Sequence, residues 1–217
     1  MFALKKIQDR VYLLTFDSGY DLAMHFLRYQ EFYESPNEKF KNSKFTIASY
    51  MEWYSKNNED KFTYPADWAG FNIPSRVFDK IFELGIEDEN KYDIFMRYVY
   101  NLIRDKEDKD FYLMGAVEGD MLTIDHEMAH ALWNLNPKYK SLMKENIKKL
   151  PKKALKVIRK NLKAAGYTKE VISDEIQAYL STDLDYELID ELTESKINSD
   201  KIMKPFMRVL NKYIKST

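Results

Sequence analysis

The chain contains no cysteine. Disulfides are therefore excluded, as is every zinc site built on thiolates, and a metal could be held only by histidine, aspartate or glutamate. Histidine is itself scarce: His25, His126 and His130 are the only three in 217 residues. Glycine and proline number six each, too few for a disordered or low-complexity chain. No apolar run reaches the roughly 18 to 20 residues of a transmembrane helix, so no membrane association is expected. The opening MFALKKIQDR has a basic pair but neither an apolar core nor a small-residue cleavage site, so no signal peptide is expected. Together with the missing cysteines this fits a reducing, cytoplasmic setting. A net charge of −1 gives no global field to draw in nucleic acid or a membrane surface. Internal repeats, a glycine-rich phosphate loop and a nucleophile elbow are also missing.

Aromatic bulk, by contrast, is plentiful: sixteen Tyr, thirteen Phe and three Trp within 45% hydrophobic residues, enough for a sizeable packed core. Val11–Phe16 reads as a strand, with Asp17-Ser18-Gly19 turning the chain after it. Helices are predicted over Tyr20–Glu34, Thr46–Ser55, Ser75–Leu84 with Ser75 as cap, and Asn90 to about Arg104. Tyr64–Ser75 has two prolines, a glycine and large aromatics, and reads as an ordered loop packed on the body. Phe111–Val117 reads as a buried or edge strand, and Asp120 as the cap of the helix that follows. Further helices are expected after Pro151 (closed by Gly166), from Thr168 to about Thr182, and from Lys201 to Ile214 with a disturbance at Pro205.

The expected architecture is mainly α with a small β-sheet, an α+β single domain over 1–217. Its parts are a mostly helical 1–110, a central 111–182 and a helical 183–217, with no linker between them. Lys138–Lys169 carries twelve basic residues and one acid, Glu145. A nucleic-acid patch is one reading. The stripe Leu155, Ile158, Leu162 and Ala165 favours the other, an amphipathic helix with a wet basic face, so no nucleic-acid partner is expected. Acids at Asp183, Asp185, Glu187, Asp190, Glu191 and Glu194 neutralise part of the run.

The organising stretch is Leu122–Trp133, L-T-I-D-H-E-M-A-H-A-L-W, with His126, Glu127 and His130 as H-E-x-x-H. Residues four apart share a helix face, so both imidazoles point one way, as two ligands of one ion must. Glu127 lies about 100° round the axis, placed to act as a base on a water activated by the metal. Leu122, Ile124, Met128, Ala131, Leu132 and Trp133 make the helix apolar on nearly every side. Buried polar groups there need partners, and a metal supplies one for the imidazoles.

This stretch resembles the signature of the zincin metallopeptidases: Thr123 three before the first histidine, Ile124, Met128, Ala129 and Ala131 uncharged around the core, Leu132 apolar two past the second. The resemblance covers about a dozen residues. It implies one zinc ion, a peptide or protein substrate, and a metal-motif helix packed on a later helix that carries the third ligand. A strand just upstream of such a helix can edge the cleft and pair with an extended peptide; Gly115 and Ala116 would leave room for its backbone. No histidine follows His130, which excludes the three-histidine metzincin arrangement and leaves a carboxylate, as in the gluzincin branch.

For that third ligand, Glu175 lies mid-face among Val171, Ile172, Ala178, Tyr179 and Thr182, and E-I-Q-A loosely resembles the E-x-x-A motif of several gluzincins. Asp174, about 100° away, ranks second. Glu145 is the candidate at shorter spacing, but Lys144, Asn146 and Lys148 give it solvated neighbours. Tyr179, one turn past Glu175, could donate to an oxyanion or simply pack in the core. His25, alone on an apolar helix face, is expected to be structural. The function expected is metal-assisted amide hydrolysis with zinc on His126, His130 and Glu175 and Glu127 as general base. The competing expectation is a non-catalytic metal-binding helical interaction module.

Overall fold

The structure, a computed structural model, describes residues 1–214. It is mainly helical with one four-stranded mixed sheet, the α+β class that the sequence implies. In chain order the elements are β1 (Phe2–Gln8), β2 (Val11–Phe16), α1 (Gly19–Glu34), α2 (Ile47–Lys56), α3 (Tyr64–Asp67), β3 (Gly70–Pro74), α4 (Ser75–Leu84), α5 (Lys91–Arg104), β4 (Tyr112–Val117), α6 (Met121–Leu135), α7 (Pro137–Lys149), α8 (Lys152–Ala164), α9 (Ile172–Ser181), α10 (Tyr186–Glu194) and α11 (Ser199–Ile214). The chain divides into two compact units, Met1–Ile124 and Asp125–Thr217. The join falls inside α6, where no glycine, proline or polar run marks a boundary. Among the described residues no helix is long and apolar enough to cross a membrane.

In the first unit the strand order is β1-β2-β4-β3, with β2 and β4 parallel and the other two pairs antiparallel. β4 therefore has both edges occupied, by β2 and β3. Of the two readings of Phe111–Val117, buried or edge, the buried one holds: its ladder hydrogen bonds are spent inside the sheet, and an extended peptide has no free edge of β4 to join. The room at Gly115 is taken as well. A Cβ built there would stand 2.5 Å from Phe26 Cε2 and 2.9 Å from Leu22 Cδ1, both on α1. Glycine is needed because α1 lies directly on the sheet at that point.

Those neighbours cannot move aside easily. Phe26 and Leu22 are fully buried, and Phe26 stacks on Phe71 at 5.2 Å. Gly115→Ala should thus destabilise the protein by about 1–3 kcal/mol, the usual cost of overpacking a tight core. Chemical denaturation measures it, and a variant as stable as the parent would show that α1 yields at no cost.

The expected cap at Asn90 is present, and Ser18 and Thr46 cap their helices as well. Ser18 accepts from Asp21 N, Thr46 accepts from Ser49 N, and Asn90 forms a reciprocal capping box with Asp93. Ser75 is different: it sits inside α4, and its hydroxyl accepts from Phe111 N at 3.3 Å instead of capping its own helix. Tyr64–Ser75 is not a loop but α3 followed by β3, with Tyr64, Phe71 and Ile73 buried in the aromatic core. His25 fits the structural expectation. Its Nδ1 lies 2.6 Å from the Asp21 carbonyl, and its ring stacks on Phe16 and meets the edges of Tyr92 and Phe95.

The second unit is helical. Helix α9 packs against α7, α8 and α11, so it is enclosed on several sides. Ile172, Ile176, Ala178 and Leu180 are all buried there, and so are the polar Glu175, Gln177 and Ser181. On α8, Ala154, Ile158 and Leu162 face inward while Lys152, Lys153, Lys156, Arg159, Lys160 and Lys163 are exposed. The predicted stripe thus holds in its middle, but Ala165 is exposed and Ala154 takes the fourth place. Lys160 pairs with Glu191 of α10 at 3.2 Å, so the later acids do neutralise part of the basic run.

Candidate metal centre

The centre is built from two helix segments of the second unit. Asp120 starts α6 as expected, accepting from Thr123 N at 3.1 Å and from the Thr123 hydroxyl at 2.7 Å. One turn on, the i, i+4 spacing sets the rings of His126 and His130 with centroids 4.9 Å apart. Their Nε2 atoms face each other at 3.2 Å.

The second segment is the start of α9. Thr168 does not begin this helix; Thr168–Val171 is a turn, and the helix begins at Ile172. The later start puts Asp174 and Glu175 in the first turn, at the end of the helix where its dipole favours negative charge. Glu175 is buried, 8% exposed, and its Oε2 lies 3.7 Å from His130 Nε2. One ligand atom from each of His126, His130 and Glu175 can be chosen so that all lie within 4.8 Å of one another. Two ligand atoms about 2.0–2.1 Å from one ion at a tetrahedral angle stand about 3.3 Å apart. The 3.2 Å of the histidine pair matches that demand and the 3.7 Å between His130 and Glu175 comes close to it, while the group as a whole spreads to 4.8 Å and would have to draw in around an ion.

The hydrogen bonds fit a cation too. Thr182 donates its hydroxyl proton to the Ala178 carbonyl at 2.9 Å, so its oxygen faces His126 Nδ1 as an acceptor, at 3.4 Å. His130 Nδ1 donates to Asp174 Oδ1 at 2.9 Å. With both Nδ1 atoms acting as donors, both Nε2 lone pairs are directed at the same small volume. Two lone pairs at that distance need a positive charge between them. Burial, with His130 alongside, lowers the His126 pKa to about 3. Burial works against charge on His130 as well, but Asp174 and Glu175 together outweigh it and hold its pKa well above the ordinary value.

Asp174, second in rank as a ligand, instead orients His130 from behind and also accepts from Asn134 Nδ2 at 3.4 Å. Glu145 is not a member of the cluster. Glu127 is buried at 7% exposure. Burial chiefly raises the pKa values of Tyr167 and Tyr179, and the Glu127 charge adds to both. Tyr179 meets the His126 ring edge to face at 4.8 Å, and its hydroxyl lies 3.2 Å from that of Tyr167.

Tyr167 was not singled out by the sequence, although Gly166 was. Gly166 adopts φ +92°, with Gly166 N bonded to Lys163 O and Tyr167 N to Leu162 O. This is a Schellman ending, which needs glycine at that position and fixes where the next residue leaves the helix. A helix-ending glycine signals the turn but not which ring the next side chain will meet. Compared with family models, curated proteins and solved structures, the chain matches none.

Proposed function

We propose that the chain is a zinc-dependent hydrolase that cleaves peptide bonds, a metallopeptidase of the gluzincin pattern. The reading rests chiefly on one observation. His126, His130 and Glu175 converge while Glu127, buried beside them, stays outside the ligand group. Three protein ligands leave one of four positions for water or substrate, the catalytic and not the structural pattern. When bound, zinc would acidify a water molecule and polarise the scissile carbonyl.

The chain's own residues do the rest. Glu127 takes the water's proton and delivers it to the leaving amine. Asp174 and Thr182 hold the two imidazoles with Nε2 directed inward. Tyr179 offers its hydroxyl proton to the developing oxyanion, while the Tyr167 hydroxyl fixes the direction of that group. Peptide or protein is the substrate class we propose, and the cytoplasm the setting, in keeping with a chain free of cysteine.

Removal of the metal tests the proposal. The zinc-loaded chain, incubated with a diverse peptide library, should release cleavage products, lose the activity on chelation and regain it with added zinc. Mass spectrometry reads all three states. Bound zinc with an untouched library would favour the non-catalytic metal-binding module. Absence of bound zinc would overturn the metal reading itself.

A further inference from the structure

We propose that Gln177 is a positioning residue for the metal ligands: acting through Asp174, it holds the ring of His130, and Tyr139 in turn holds Gln177. The inference rests on the reading above that His126, His130 and Glu175 bind a divalent cation.

Gln177 is completely buried in α9, between the apolar Ile176 and Ala178. An amide costs free energy at such a place unless its polar atoms are all engaged. Here they are. Nε2 donates to Asp174 Oδ1 at 3.0 Å and to the Ala129 carbonyl at 3.2 Å, and Oε1 accepts from the Tyr139 hydroxyl at 2.8 Å. The orientation of the amide is not free. The Ala129 carbonyl can only accept, and the Tyr139 proton needs an oxygen, so the amide has one satisfactory arrangement.

Tyr139 is anchored as well. It is fully buried on α7, its ring meets Tyr213 edge to face at 5.3 Å, and its backbone N–H is capped by Asn136. A continuous chain of hydrogen bonds therefore runs from Tyr139 through Gln177 and Asp174 to His130 Nδ1.

The arrangement directs His130. Asp174 Oδ1 receives both the imidazole Nδ1–H and the Gln177 amide, so the amide fixes the carboxylate against which the ring is aligned. Gln177 also grips the backbone of α6 at Ala129, the residue before His130. It thereby sets both the ring's direction and the place from which the ring extends. A fully satisfied polar network of this kind selects one arrangement where apolar packing would tolerate several.

The test uses the full chain with Zn2+ and Co2+ as probes. Gln177→Leu keeps bulk and removes every polar contact; zinc affinity should fall about 10- to 100-fold, the usual effect of losing an outer partner of a metal ligand. The visible absorption of bound Co2+, which reports ligand geometry, should change in shape. Tyr139→Phe keeps the ring and removes only the hydroxyl. It should weaken zinc binding by about fivefold, the worth of a single hydrogen bond, and it preserves the test if Gln177→Leu fails to fold.

A purely structural clamp predicts something else: lower thermal midpoints for both variants, with parental zinc affinity and an unchanged cobalt spectrum. That result overturns the inference while leaving the metal reading intact. A parent chain that binds neither ion overturns both.

Discussion

Glu127→Gln should bind zinc as tightly as the parent and cleave peptide about 10²- to 10⁴-fold more slowly, the range that a general base contributes. The substitution preserves size and much of the hydrogen bonding of a buried side chain and removes only its capacity to take a proton. On α6 the residue sits between the two histidines in sequence but about 100° from His126 round the helix, so it does not compete for the ion. The cluster of possible ligands accordingly comprises His126, His130 and Glu175 without Glu127. The loss should appear in kcat with KM little altered, because the missing group acts during bond making and not in holding the ground state. Equilibrium dialysis for zinc and progress curves on a library-derived peptide supply the two measurements. Undiminished turnover would remove Glu127 from the chemistry, and a parallel loss of zinc would make it a ligand instead.

Different parts of this molecule were readable from sequence to different depths, for physical reasons. The H-E-x-x-H face depends on helical periodicity alone, which local sequence determines, so the convergence of His126 and His130 could be anticipated. Glu175 lies 45 positions beyond His130, yet an acid centred in an apolar stripe indicates its own burial. The roles of its neighbours were another matter. Asp174 and Glu175 are adjacent carboxylates, and which of them meets Nε2 and which meets Nδ1 depends on the rotation of α9 against α6, a tertiary quantity.

Gln177 was passed over for the same reason, since a lone glutamine carries no pattern until its three partners are seen. The sheet was the least legible part. β1 alternates poorly, with exposed Lys5 and Lys6 side by side, and β3 is only five residues ending in proline. The central place of β4 follows from its pairing with β2 and β3, strands that are distant in sequence.

Glu175→Ala should weaken zinc binding by about 10³-fold, well beyond the 10- to 100-fold typical of losing an outer partner. The carboxylate is the only negative charge among the three candidate ligands, and it is buried, so little solvent stands between it and the ion. Without it two neutral imidazoles remain, a set that falls short of the three protein ligands usual for catalytic zinc. The informative comparison is Asp174→Asn. That variant keeps an oxygen able to accept from His130 Nδ1 and leaves the three ligands in place, so its loss should stay within the outer-partner range. Competition titration with a zinc-sensitive dye ranks the two. A larger loss for Asp174→Asn would exchange the roles of the adjacent acids. Parental affinity in Glu175→Ala would leave the histidine pair without its anionic partner and end the case for a gluzincin-like centre in this chain.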